Sequence, residues 1–254
     1  MSFSTRGSDV EADAGTGVPP FRLREVAPSD PQAVAWAARL HRQLFLDIGL
    51  IAQLGERLLR RFCYDVLIRD GLMSAAVFEV NGAPAGLAAF TTDSKALHAA
   101  AMTRYPGLVV RETLMSLLLE PRIILGLPSA ARLLFERRQE RIEGGAPVAE
   151  MLAIGVLPEY RSPEFVRSTG LRIGDVLLAH ALAHFKRAGF REARGVVLAH
   201  NRPALMFFRM RAARMEPYTN AAKPSYQVWF DVDKTPGAMI GSPIRPPVPS
   251  EPEP

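Results

Sequence analysis

The sequence predicts an α/β (α+β) fold: a mixed, mostly antiparallel central sheet with helices on both faces and a helical insert. Three observations lead there. Residues 21–91 read strand, helix, helix, hairpin, with Asn81-Gly82 as a strong turn signal between the last two strands. Residues 148–199 read strand, helix, strand, a crossover that is right-handed by default. Alternation of the two element types puts helices on both sides of one sheet.

Each element has a local reason. Phe21-Arg22-Leu23-Arg24-Glu25-Val26 alternates with period two and reads as a strand. Ser29 or Asp30 caps a helix with Pro31 at its first position, patterned by Val34, Ala37, Ala38, Leu40, His41, Leu44 and Phe45 and stopped by Gly49. A second helix is expected over about 52–69, with Leu54, Leu58, Leu59, Phe62, Val66 and Leu67 on one side. Ala75 to Val80 and Ala85 to Thr91 are the hairpin strands. Residues 94–138 read as helical, with breaks at Pro106-Gly107, Pro121 and Pro128. Then come a strand at 148–156, a helix at 171–188 stopped by Gly189, a strand at 194–199, a helix at 202–212 and a final strand from Tyr226 to Val232.

The chain has 254 residues, 48% of them apolar, which is enough for one sizeable core. Residues 20–235 are read as one domain, with 94–145 as the insert. The polar segment 1–19 and the Pro-rich 236–254 read as disordered tails, because neither can bury enough apolar surface to offset ordering entropy. Met1 to Pro20 lacks the basic-then-apolar layout of a signal peptide, and no transmembrane segment is expected. Cys63 is the only cysteine, so no intrachain disulfide can form, in agreement with a reducing cytoplasm. Its amphipathic surroundings make it a buried structural thiol rather than a nucleophile. The net charge is +5, but the basic residues, 27 Arg and 4 Lys, are scattered and not interleaved with aromatics. Nucleic acid is therefore not expected as the main partner. No metal site is read.

The chemistry concentrates in 150–208. A strand ends in Val156-Leu157-Pro158-Glu159-Tyr160-Arg161. Thr169-Gly170-Leu171-Arg172-Ile173-Gly174-Asp175 then opens a helix. Free N–H groups and the dipole at such a start favour a phosphate, and glycine lets the phosphate approach the backbone. The next strand ends at His200 and runs into Asn201, Ala204, Phe207 and Phe208. Asn201 taken alone is a helix cap, and Ala204 and Phe207 taken alone are core residues.

Together these residues resemble the GNAT superfamily, the acetyl-CoA-dependent N-acetyltransferases. The signature of that family is a strand ending Val-x-Pro-x-x-Arg, a glycine-flanked helix start with a leucine pair, and Asn-x-x-Ala-x-x-Phe-Tyr. Val156, Pro158, Arg161, Gly174, Leu177, Leu178, Asn201, Ala204 and Phe207 match it. The resemblance covers about 148–215, and more loosely 21–93. Four departures stand out. Arg172 occupies the middle glycine position, the phosphate loop is about eight residues longer through Ser162 to Thr169, Phe208 replaces the tyrosine that is the common general acid, and Ala212-Ala213 replaces Gly-Phe.

The resemblance implies a GNAT-like acyl-CoA N-acyltransferase fold and an enzyme that moves an acetyl group from acetyl-CoA, as co-substrate, to the primary amine of a small molecule in a ternary complex. The backbone of Ile154, Gly155 and Val156 would pair with the pantetheine amides. Thr169, Gly170, Leu171, Arg172, Ile173, Gly174 and Asp175 would take the pyrophosphate, with Arg161, Asn201, Ala204, Phe207 and Phe208 completing the cofactor site. The amine must lose a proton, so a base is needed near the strand. Glu150, read as sharing a face with Leu152 and Ile154, is the candidate, and His200 is the second. Phe208 cannot protonate a leaving thiolate; Tyr218, Tyr160 or Tyr226 could, or water. The alternative function is a catalytically impaired acyl-CoA-binding or regulatory module. The apolar insert reads as helices packed over the sheet or at a homodimer interface, as an acceptor-site wall, or as a membrane-surface contact.

Overall fold

A computed structural model describes residues 21–47, 50–119, 147–218 and 223–234. Seven strands form one sheet in the order β1-β2-β3-β4-β5-β7-β6. They are β1 (Phe21–Glu25), β2 (Ser74–Val80), β3 (Ala83–Thr91), β4 (Glu150–Val156), β5 (Glu192–Leu198), β6 (Arg214–Tyr218) and β7 (Ser225–Asp231). Only β4 and β5 run parallel; every other neighbouring pair is antiparallel. The expected mixed, mostly antiparallel sheet is therefore present. Strand β6 is an addition to the expected order. Its five residues carry Pro217 and are mostly exposed, so no apolar alternation marks them.

On one face lie α1 (Pro31–Phe45), α2 (Leu50–Gln53), α3 (Glu56–Leu58, continuing as a π-helix over Leu59–Leu67), α4 (Ser94–Thr103) and α5 (Pro106–Leu119). On the other lie α7 (Ile173–Arg187) and α8 (Arg202–Arg209), with the short α6 (Pro163–Thr169) before them. Each face has its own core. Val34, Leu40, Leu58, Tyr64, Val77 and Leu87 belong to the first, and Phe78, Phe90, Leu177, Phe185, Val228 and Phe230 to the second. Central strands buried on both faces read as continuous apolar runs, and β2 and β3 do so.

Helix α1 starts where expected. Asp30 Oδ1 accepts from Ala33 N at 3.1 Å, and Pro31 follows the cap. The continuous helix expected over 52–69 is corrected: Gly55, at φ 101°, interrupts it, a conformation that side-chain-bearing residues rarely adopt. After the break, π-winding presents Phe62, Cys63, Tyr64 and Leu67 to the first core. Cys63 is buried and its thiol is pushed up to about 12 by burial, as a structural thiol should be.

Two more boundaries move. The residues read as an extended phosphate loop form α6, capped by Ser162 Oγ from Phe165 N at 3.1 Å. The helix read from 171 therefore begins at Ile173. The insert is helical over α4 and α5. Glu112 is fully buried there between Arg57 (2.6 Å) and Arg111 (2.6 Å), which pins α5 to α3. Val110, Leu114 and Leu118 remain exposed along α5. The rest of the insert and both tails lie outside the described residues. Among those described, no helix is long and apolar enough to cross a membrane.

Candidate functional site

Strand β4 pairs with β3 along its whole length but with β5 only at Glu150↔Arg194 and Met151↔Gly195. Beyond Met151 the two parallel strands part. A bulge contributes: Ala153 faces Ala89, and the next paired residue is Met151 opposite Phe90, so Leu152 is the extra residue. Such an insertion bends the strand and increases its twist.

The parting leaves backbone groups without a strand neighbour among the described residues. Leu157 N donates to Ala85 O at 2.9 Å. Hydrogen-bonded residues alternate along an antiparallel pair. Gly155, opposite Leu87, therefore also bonds to β3, and Ile154 and Val156, opposite Ala88 and Gly86, turn their N–H and C=O groups to the open side. Among the described residues no strand pairs with that edge. The side chains of Ile154 and Val156 pack toward α7, while Gly155 faces α1. A Cβ on Gly155 would meet Leu44 Cδ1 at 3.0 Å and Phe45 Cζ at 3.1 Å, so its absence lets α1 seat against the strand.

Helix α7 begins at the same end of the opening. A Cβ on Gly86, the partner of Val156, would lie 3.1 Å from Ile173 Cγ2. Arg172 is the N-cap residue, exposed and making no side-chain cap. The N–H groups of Ile173 and Gly174, in the first turn, have no carbonyl below them in the helix. Neighbouring donors are already used. Gly170 N bonds Val166 O (2.9 Å), Leu171 N bonds Thr169 Oγ1 (3.1 Å) and Asp175 N bonds Arg172 O (2.9 Å). Of the seven residues expected to line a phosphate, Thr169 ends α6, Gly170 is its C-cap in the left-handed region at φ 67°, and Leu171 follows. Arg161 is exposed on the one-turn 3₁₀ helix Pro158–Arg161.

Gly174 has a role that the sequence did not indicate. A Cβ there would meet Phe207 Cε2 at 3.0 Å, so the missing side chain admits the Phe207 ring from α8. Asn201 Oδ1 caps α8, accepting from Ala204 N at 3.3 Å. Ala204 and Phe207 pack against the second core. Phe208 is buried inside it, with ring centroids 5.3 Å from Phe207 and 5.7 Å from Phe230. These residues hold α8 in place by capping and packing.

At the closed end of the opening, Glu150 is 5% exposed. Its Oε2 accepts from Arg194 Nη2 at 2.9 Å and Nε at 3.1 Å, and Arg194 Nη2 also reaches Ser94 Oγ at 3.4 Å. The bulge corrects the expected grouping. Leu152 packs with the first core and Ile154 with the second, so Glu150 and Ile154 do not share a face. His200 is exposed just past β5, six residues beyond the partner of Glu150. The four residues from Arg194 to Leu198 span about 13 Å of strand, and His200 lies in the turn beyond, so Glu150 and His200 stand at opposite ends of the opening.

Two pairs escaped the sequence reading. His41 Nδ1 and Tyr64 OH are 2.7 Å apart where α1 meets the π-helix. Burial pushes the His41 imidazole down to about 4 and the Tyr64 phenol up. Nothing in the sequence pairs residues 23 apart across two helices. Arg211 is ion-paired with Asp175 and stacks over Phe207, its Cζ 4.1 Å from the ring centroid. The four-residue step from Phe207 to Arg211 was the only available signal.

No protein-family profile and no curated protein matches the chain. Among solved structures, it is similar to SsHAT, at 17% identity and TM-score 0.49, covering 84% of this chain and 98% of that one. It is also similar to an N-acetyltransferase from Staphylococcus aureus Mu50, at 12% identity and TM-score 0.45, covering 84% and 98%. A third is the PaiA N-acetyltransferase from Thermoplasma acidophilum in complex with coenzyme A, at 12% identity and TM-score 0.43, covering 83% and 98%. These are likenesses of fold alone.

Proposed function

We propose that this chain is an N-acetyltransferase that moves an acetyl group from acetyl-CoA to the primary amine of a small molecule by direct attack in a ternary complex. The observation that carries this reading is the unpaired edge of β4. Ile154 and Val156 offer N–H and C=O groups to a molecule lying where the next strand would be. An arm with two amides fits that edge, as an added strand does. A phosphate fits the α7 start beside Val156, and exposed Arg172 would add a charge-assisted contact. Acetyl-CoA has these parts in this order. The domain is taken as residues 20–235, working in the cytoplasm.

From Val156 to Met151 is about 17 Å of strand. The thioester end of the arm thus reaches the floor of the opening, one residue from Glu150. As the C–N bond forms and the C–S bond breaks, the amine proton passes to the Glu150 carboxylate, directly or through one water. Arg194 orients that carboxylate. Phe208 has no hydroxyl and is buried, so the thiolate takes its proton from another hydroxyl, with Tyr218, Tyr160 and Tyr226 as the candidates, or from water. His200, on the far rim, has no part in this step.

A second reading, an acyl-CoA-binding or regulatory module without catalysis, is favoured by the engagement of Glu150 with Arg194 and by the burial of Phe208. Calorimetry with acetyl-CoA tests both readings, and absence of binding defeats both. Thiol release over a panel of amines then separates them: tight binding with no accelerating amine selects the second.

A further inference from the structure

Asp175 is a difficulty for an anion at the start of α7. It occupies the third helical position, three residues from the cap, within the first turn where a pyrophosphate would lie. A carboxylate at that position repels a second anion. It can also fold back on the N-terminal amides, as in a capping box, and occupy the donors the anion needs. In this structure its carboxylate does not turn back on those amides. Arg211, from the segment after α8, holds the carboxylate in an ion pair through its Nε. Only 7% of the Arg211 side chain and 16% of the Asp175 side chain are exposed. The guanidinium is itself fixed on three sides: Asp175, the Phe207 carbonyl (Nη1 to O, 2.9 Å) and the Phe207 ring beneath it (4.1 Å). The same ring fills the space left by Gly174.

Resting on the reading of α7 as the pyrophosphate site, we infer that Arg211 is a positioning residue for CoA, drawing Asp175 aside and neutralising it so that the Ile173 and Gly174 amides stay open to the pyrophosphate. Arg211 acts through Asp175. Replacing it frees a carboxylate beside the phosphate site, and a like charge released at roughly 6 Å in an intermediate dielectric corresponds to about 10- to 100-fold in affinity.

The test compares CoA with pantetheine, which has the same arm and no pyrophosphate. Arg211→Met keeps an apolar side chain against Phe207. It should weaken CoA by about 10- to 100-fold and leave pantetheine unchanged. Adding Asp175→Asn should bring CoA affinity back to near that of the wild type. Equal weakening of CoA and pantetheine, or no rescue by Asp175→Asn, overturns the inference and leaves Arg211 as packing. If Arg211→Met does not fold, Arg211→Gln removes the charge while keeping a polar side chain, and a CoA-specific loss that Asp175→Asn relieves is again required. Wild-type protein that binds neither CoA nor pantetheine overturns the parent reading. Wild-type protein that binds both equally overturns only the role of the α7 start and of Arg211.

Discussion

Substituting alanine for Gly174 sets two effects of opposite sign against each other. Alanine is the better helix former, and the exchange in a helix favours it by about 0.5–1 kcal/mol. Against that, the added Cβ would stand 3.0 Å from Phe207 Cε2. The ring has little room to move. Arg211 lies over it with Cζ 4.1 Å from its centroid, and Phe208 is edge-on at 5.3 Å. Overpacking of this kind costs about 1–3 kcal/mol. The cost exceeds the gain, so Gly174→Ala should destabilise by ~0.5–2 kcal/mol, or about 1–8 °C in Tm at ~2–4 °C per kcal/mol for a domain of this size. Thermal unfolding followed by circular dichroism reads this directly. The Phe207→Ala background sharpens the test: with the ring gone, Gly174→Ala should raise Tm. A rise in Tm in the wild-type background would refute the packing argument. A loss of CoA affinity with no change in Tm would return Gly174 to the role of admitting phosphate.

Three further outcomes follow from the same geometry. Glu150→Gln, which keeps an acceptor for Arg194, should lower amine turnover about 100-fold with CoA affinity unchanged, and unaltered kcat in the thiol-release assay removes Glu150 from the mechanism. His41 has a folded pKa of about 4, below its ordinary 6.5, so the unfolded chain binds more protons between those values and stability falls as pH drops from 6.5 toward 4. The contribution is ~3 kcal/mol, and urea midpoints of His41→Gln should lose that part of the pH slope. Arg57→Met leaves the buried Glu112 with Arg111 as its remaining ion-pair partner among the described residues, and should cost about 1–3 kcal/mol in urea unfolding, while exposed Arg69→Met should cost under ~1 kcal/mol.

Much of the fold was legible because its signals are local. Asp30-Pro31 starts α1, Asn81-Gly82 turns the hairpin, and Gly189 follows the end of α7. Apolar runs mark β2 and β3 because both faces are covered. The failures share a cause as well. Strand β6 exists through its pairing with β7, and its own residues carry no apolar alternation. The helix break at Gly55 follows from a backbone angle, since one glycine in an apolar pattern does not announce a stop. Helix α6 carries a local start signal, Ser162 before Pro163, but it is brief and lies where the resemblance implies a loop.

At the candidate site, the sequence alone determined the kind of parts: a strand end at Val156, a glycine-bearing helix start at 170–174, and a capped helix at Asn201. Cap and turn preferences act within a few residues, so they can be read along the chain. Tertiary structure decided what each part does. It opened β4 from β5, with a bulge at Leu152, so that Ile154 and Val156 turn N–H and C=O groups to an edge with no strand partner among the described residues. It turned Gly174 and Phe207 into a packing contact and tied Asp175 to Arg211. It also placed Glu150 at the closed end with Arg194 and sent His200 to the opposite rim. Such roles depend on which surfaces meet across the sheet, and no local preference encodes a contact between residues 36 or 44 positions apart.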